Sequence, residues 1–197
     1  MKVSIIRTVL GFCLTSIIVG VAPMAAFTKS IIETKWIDIT YDSEVTQISF
    51  PQKPFELKFN VPFKNTSESG KLHIYSTPLE KEEGLLVFSI LKSPYITDKC
   101  LDKKQFKENF TSYLVNYFFN EPQIFKNQQT YSSKLQKLED LAVLSFEFTY
   151  EDKHVQQLMK GVAIVHNDKL YHLFYLAPEE KFNTKILHKF VESFIID

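Results

Sequence analysis

The amino-acid sequence predicts an α+β domain in which an antiparallel β-sheet is flanked by helices. Three apolar segments late in the chain, 141–150, 155–165 and 170–176, are separated only by short polar turns, which is typical of an antiparallel meander. An amphipathic helix is expected before this meander and another after it. Because each helix must bury its apolar stripe, we expect both helices to pack against the sheet.

The first 26 residues have the composition of an export signal. Lys2 and Arg7 precede an apolar run that closes on small residues, which predicts cleavage after Ala25 or Ala26. The run is shorter than the about 20 apolar residues that a membrane-spanning helix needs, and N-terminal membrane anchoring is the alternative. We therefore expect a periplasmic or secreted protein of bacterial type, which contacts the membrane only if the signal is retained.

The remaining chain is divided into a lead-in segment, 27–35, and a single domain, 36–197. Its length suffices for one hydrophobic core. Loss of the signal leaves 21 basic against 23 acidic residues, so no basic surface is expected to bind nucleic acid. Glycine occurs after the signal only at Gly70, Gly84 and Gly161, which excludes a glycine-rich nucleotide-binding loop.

Short strands are expected in the first half of the domain, at 36–41, 45–50, 72–75 and 85–91. The clearest alternation lies in 55–61, where Phe55, Leu57, Phe59 and Val61 are predicted to share the buried face of a half-buried strand. Residues 65–70 are predicted to form a polar loop.

A helix is predicted where the apolar period changes to three and four residues. Asp102 and Gln105 are suited to cap its start, and Pro122 is expected to end it. Its apolar stripe, predicted to face the core, consists of Phe106, Phe110, Tyr113, Leu114, Tyr117 and Phe118.

The turns of the late meander are predicted from their polar residues. Asn167 and Asp168 are suited to a two-residue hairpin loop, and 151–153 to a slightly longer one. Pro178 and the acidic residues after it then open a closing helix, whose apolar stripe consists of Phe182, Ile186, Leu187, Phe190 and Val191.

In its layout the chain resembles the PsbP-like family, the photosystem II extrinsic subunit P and its relatives outside photosynthesis. The resemblance covers about residues 36–197. It is carried by early strands around Phe50 and Pro51, a long middle helix, a three-strand meander and the closing segment 169–194. It implies an α/β/α sandwich and a non-enzymatic accessory or interaction role, and no catalytic residues are carried over with it.

Few residues suggest chemistry. The predicted hairpin places His166 opposite Lys169 and His172 opposite Ala163, so these two histidines lie on opposite faces and cannot share a metal. His154 could approach His172, although surface or hydrogen-bonded histidines are the expectation. Cys100 could be a nucleophile only beside a base, and an incidental cysteine is expected. No catalytic signature, metal site or cofactor is predicted.

Two functions are compatible with these observations. The first is a non-enzymatic accessory or protein-interaction domain of the cell envelope, with an envelope protein as its partner. The second is the binding of a small apolar ligand, or an unrecognised hydrolase activity, in an aromatic cavity. The residues expected to line that cavity are Tyr113, Tyr117, Phe118, Phe146, Phe148, Tyr171 and Tyr175.

Overall fold

The computed structural model describes residues 35–41, 46–62, 69–117, 128–138 and 141–196. The predicted signal 1–26 and all but the last residue of the lead-in lie outside the described residues, as do Phe118 and Pro122. The described residues divide into two compact units, one within 54–183 and one that contains the described residues up to Lys53 together with those from Thr184 to Ile196.

The larger unit contains a seven-stranded antiparallel sheet. Its spatial order is β3-β4-β5-β9-β8-β7-β6, so β3 and β6 are the edge strands. The central strands read as near-continuous apolar runs because both of their faces are buried. The strands are β3 (Phe55–Pro62), β4 (Ser69–Leu79), β5 (Gly84–Lys92), β6 (Gln128–Leu138), β7 (Leu141–Asp152), β8 (Val155–His166) and β9 (Lys169–Pro178).

Two hairpin turns set the register of the late meander. His166 pairs with Lys169 across the predicted loop, and the positive φ of 54° at Asn167 suits an asparagine in a tight turn. The preceding turn is shorter than the predicted 151–153 loop. Asp152 pairs with Val155, and the two-residue turn is formed by Lys153 and His154, both at positive φ.

One long helix, α1 (Lys103–Tyr117), packs against the sheet. The backbone N–H groups of Lys104 and Gln105 donate to the Asp102 carboxylate, which confirms Asp102 as the N-terminal cap. The helix buries Phe106, Phe110 and Leu114, as its periodicity predicted. A short 3₁₀-helix, Asp98–Leu101, precedes it. Within the described ranges, no helix is long and apolar enough to cross a membrane.

The smaller unit consists of a hairpin and a helix. Strands β1 (Ile37–Tyr41) and β2 (Thr46–Phe50) pair antiparallel, and α2 is Thr184–Glu192. The rings of Phe50 and Phe190 meet edge to face at 5.3 Å, and Gln47 and Ile195 exchange backbone hydrogen bonds. Trp36 is buried, and the Lys189 ammonium lies over its ring, 4.7 Å from the centroid.

The expected fold class, an α+β sheet flanked by helices in an α/β/α sandwich, is wrong. The described residues form a mainly β structure of nine strands, with two α-helices of 15 and 9 residues. The prediction failed because long strands with many polar residues lack the hydrophobic pattern by which strands are recognised. Strand β6 (Gln128–Leu138) was not predicted at all, and β4 extends well beyond the predicted 72–75. Edge strands expose more polar side chains and therefore carry a weak hydrophobic pattern.

Replacement of Phe110 by alanine is expected to destabilise the protein by about 3–5 kcal/mol, because the ring is fully buried and its loss leaves a cavity. Chemical denaturation of the full chain measures this change. Glu108→Ala, on the exposed side of the same helix, is the control and should change stability by no more than about 0.5 kcal/mol. Equal effects of the two variants would contradict the assignment of Phe110 to the core.

Candidate functional site

The described members of the predicted aromatic set lie on two faces of the sheet. Tyr113 and Tyr117 on α1 lie on the same side of the sheet as Phe146 and Phe148 of β7, in one hydrophobic cluster. The alternation along β9 places Tyr171 and Tyr175 on the opposite face, where Tyr171 stacks on Phe88 and Tyr175 packs against Phe182. Phe118 lies outside the described residues.

The rings between α1 and the sheet are closely packed around Phe110. Its centroid lies 4.7 Å from that of Phe146, 5.7 Å from Phe148 and 5.6 Å from Phe174. These are the separations of directly contacting aromatic side chains. The cluster therefore has the geometry of a packed core around Phe110.

A hydrogen bond that the sequence did not reveal is buried in this aromatic cluster. Ser89 Oγ lies 3.1 Å from His172 Nδ1, and the two residues are direct partners on the adjacent strands β5 and β9. The imidazole also lies against the rings of Phe110 and Tyr113, each with its centroid 5.1 Å away. Burial raises the pKa of Tyr113, and a hydrogen bond with Ser89 opposes that rise.

A serine beside a histidine resembles a nucleophile and its base, yet this pair lacks the required properties. Burial lowers the pKa of His172 from 6.5 to about 3, so the ring is neutral at pH 7 and a weak base. General bases work best with a pKa near the operating pH. Ser89 is also fully buried. The geometry therefore supports a structural hydrogen bond that satisfies two buried polar groups.

The other chemical candidates are dispersed. His154 is exposed in the β7–β8 turn, whereas His172 is buried. The β8–β9 register confirms that His166 and His172 lie on opposite faces. Cys100 is a free thiol, packed in part against the aromatic cluster. Among the residues that the structure describes, no three His, Cys, Asp or Glu side chains are grouped to hold a metal ion.

An exposed apolar surface lies instead on the edge strand β3. Phe55 is 67% exposed and Leu57 is 45% exposed, so the prediction that they lie on the buried face of a half-buried strand is wrong. Phe59 is half-buried and packs on Tyr117, with 4.7 Å between ring centroids. The core thus covers β3 unevenly along its length. The alternation of apolar residues in β3 is apparent from the sequence, whereas the position of β3 at the edge of the sheet depends on the pairing of distant strands.

The other face of β3 carries a charged pair. Lys58 Nζ lies 3.0 Å from Glu56 Oε1, and the hydroxyl of Tyr75 on β4 donates to the same oxygen at 3.0 Å. The hydrogen bond from Lys58 lowers the pKa of Glu56, and the bond from Tyr75 adds to this effect. The edge strand therefore presents exposed apolar side chains on one face and an ion pair on the other. We call residues 55–59 the β3 edge.

Comparisons with known proteins establish no family. No family model matches the chain, and no curated protein matches it. LpqN of Mycobacterium tuberculosis, which is involved in cell envelope biogenesis, is a structural match with 11% identity and a TM-score of 0.38, over 85% of this chain and 95% of LpqN. PA94 of Pseudomonas aeruginosa, a protein of unknown function, matches with 10% identity and a TM-score of 0.29, over 73% of this chain and 85% of PA94.

These similarities are too weak to support an argument about this chain. They neither confirm nor refute the resemblance to the PsbP-like family.

The buried His172 is expected to make stability sensitive to acid. The unfolded chain takes up a proton near pH 6.5, whereas the folded chain does so only near pH 3, so stability falls as the pH drops through this interval. Between pH 7 and pH 5 this histidine should account for a loss of about 2 kcal/mol. Urea denaturation at the two pH values, with wild type and His172→Gln, measures the difference.

The control is Ser112→Ala, an exposed position on α1 that carries no titrating group. This variant should keep the pH dependence of the wild type, whereas His172→Gln should lose about 2 kcal/mol of it. If His172→Gln does not fold, NMR of the wild type provides the answer, since the His172 ring should not titrate between pH 8 and pH 4. A midpoint near 6.5 for that ring would contradict its burial in the neutral form.

Proposed function

We propose that this chain is an exported protein-interaction domain of the bacterial cell envelope, and that its partner binds at the β3 edge. The observation that carries the proposal is the exposure of Phe55 and Leu57 on a strand that, among the described residues, pairs with another strand on one side only. Two large apolar side chains on an open sheet edge are an aggregation hazard unless a partner covers them. The N-terminal composition supports export.

The expected mode of binding is the addition of a strand to the sheet. β3 pairs with β4, and no described strand lies along its other side. The backbone N–H and C=O groups on that side can bind an extended segment, while Phe55 and Leu57 contact the alternate side chains of the incoming strand. Neither side chain takes part in catalysis in this proposal, which describes an accessory protein.

The alternative from the sequence, an aromatic cavity that binds a small ligand or hydrolyses it, has weaker support. Its expected lining residues lie on two faces of the sheet, and the rings around Phe110 are in contact with one another. The one serine–histidine pair in the cluster has a histidine of low basicity.

In vivo crosslinking in the native cell tests the proposal. The double variant Phe55→Ser, Leu57→Ser should reduce the yield of the crosslinked complex at least about tenfold, because a tenfold loss needs only about 1.4 kcal/mol and truncation of a central hot-spot residue costs about 2 kcal/mol or more. Mass spectrometry identifies the partner, and also the N-terminus, which should be Ala26 or Phe27 if the signal is cleaved.

The control variant removes exposed apolar groups elsewhere. Leu135 on the opposite edge strand is 48% exposed and Val155 is 42% exposed, so Leu135→Ser, Val155→Ser should leave the complex intact. A complex that persists in the β3 variant, or that is lost equally in both variants, would exclude the β3 edge as the binding surface.

A further inference from the structure

We infer that the partner at the β3 edge is a second copy of this chain, paired antiparallel through β3 about a two-fold axis at Leu57. The inference rests on the proposed function and specifies the partner of that same surface. Its basis is the order of charged and apolar side chains along β3. In one antiparallel register this order is complementary to that of a second β3 strand.

The sequence of the β3 edge is Phe55-Glu56-Leu57-Lys58-Phe59. Directly opposite residues of an antiparallel pair lie on the same face of the sheet. With the axis at Leu57, that residue lies opposite its own counterpart, and Phe55 lies opposite Phe59 of the second copy. The apolar face of the strand is thereby continued across the interface.

The charged face is complementary in the same register. Glu56 of each copy lies opposite Lys58 of the other, so the two-fold symmetry forms two ion pairs, each between a carboxylate and an ammonium group. A shift of the axis to Glu56 places two carboxylates opposite each other, and a shift to Lys58 places two ammonium groups opposite each other. Like charges in directly opposite positions are destabilising. The charge pattern therefore selects the Leu57 register over both neighbours.

Contacts within the chain already orient the carboxylate. Glu56 is the cross-strand partner of Tyr75, whose buried ring donates its hydroxyl proton to Glu56 Oε1. Lys58 contacts that same oxygen, so Oε1 serves both contacts within the chain. In the paired state Oε2 of Glu56 can accept from Lys58 of the second copy. Pre-organised side chains lose little conformational freedom on binding.

The length of the interface is limited by proline. Pro54 precedes β3, and Pro62 is its last residue. Since proline has no N–H to donate, regular pairing is confined to the residues between them. In the Leu57 register it extends from Phe55 to Phe59 in each copy. Such a short interface predicts a weak, reversible dimer that is populated at high local concentration.

Sedimentation velocity of the native protein, over a concentration series up to about 1 mM at low salt, tests the dimer directly. The wild type should shift from monomer to dimer as its concentration rises. Glu56→Lys and Lys58→Glu should each weaken self-association at least about tenfold, because two attractive pairs become two repulsive ones. Both side chains are exposed, and far-UV circular dichroism checks the fold of each variant, since Glu56→Lys removes the acceptor of the Tyr75 hydroxyl.

The decisive measurement mixes the two single variants. A Glu56→Lys copy presents two lysines and a Lys58→Glu copy presents two glutamates, so the pair is complementary although neither variant associates with itself. Restored dimer in the mixture, and in the double variant Glu56→Lys, Lys58→Glu, is the expected result. Lys137→Glu, an equal charge change on the exposed face of β6, is the control and should not change association.

The inference is overturned if the wild type stays monomeric throughout the series, or if the mixed variants do not associate. A monomeric protein whose cellular complex still requires Phe55 and Leu57 would retain the proposed function with a different partner. If sedimentation shows a dimer that depends on the Glu56–Lys58 pairing, but the crosslinked complex in the cell does not require Phe55 and Leu57, the dimer is supported. The proposal that an envelope partner binds at this edge is then rejected.

Discussion

Backbone hydrogen bonding in the seven-stranded sheet determines which face of the sheet each strand side chain occupies. Because the strands are joined without interruption from β3 to β6, the register of the β8–β9 hairpin is transmitted to both edges. It places His172 and Phe174 toward α1, and Tyr171 and Tyr175 on the other side. A slip of one residue would exchange these two sets and bury the wrong side chains.

The aromatic cluster depends on this register. Phe110 reaches Phe146 on β7 and Phe174 on β9, so one helical residue joins two strands that are not neighbours in the sheet. The Ser89–His172 hydrogen bond lies within the same layer. It satisfies two polar groups in an environment where an unpaired one would cost about 1–3 kcal/mol. The aromatic cluster thus forms the packed core between α1 and the sheet.

The β3 edge combines two exposed apolar side chains with charges of both signs, whereas the other edge strand, β6, has an exposed leucine and lysines but no acidic residue. Natural sheets commonly protect an edge with lysine and proline, and β3 has both. Lysine in this strand is paired with glutamate two residues away, which makes its charge complementary to a reversed copy of the same strand. The same residues that limit uncontrolled aggregation can therefore define one short, specific pairing.

The sequence by itself determined the elements whose signals are local. The start of α1 at the Asp102 cap, its apolar stripe and the turn at Asn167 depend on side chains that act on neighbouring backbone groups, and all three were predicted. The mainly β class, the strand β6 and the exposure of Phe55 were decided by tertiary structure. Among the described residues β6 pairs with the next strand β7, whereas the continuous sheet depends on the hydrogen bonds between β5 and β9, which lie far apart in the chain. Ser89 and His172, 83 residues apart, meet for the same reason.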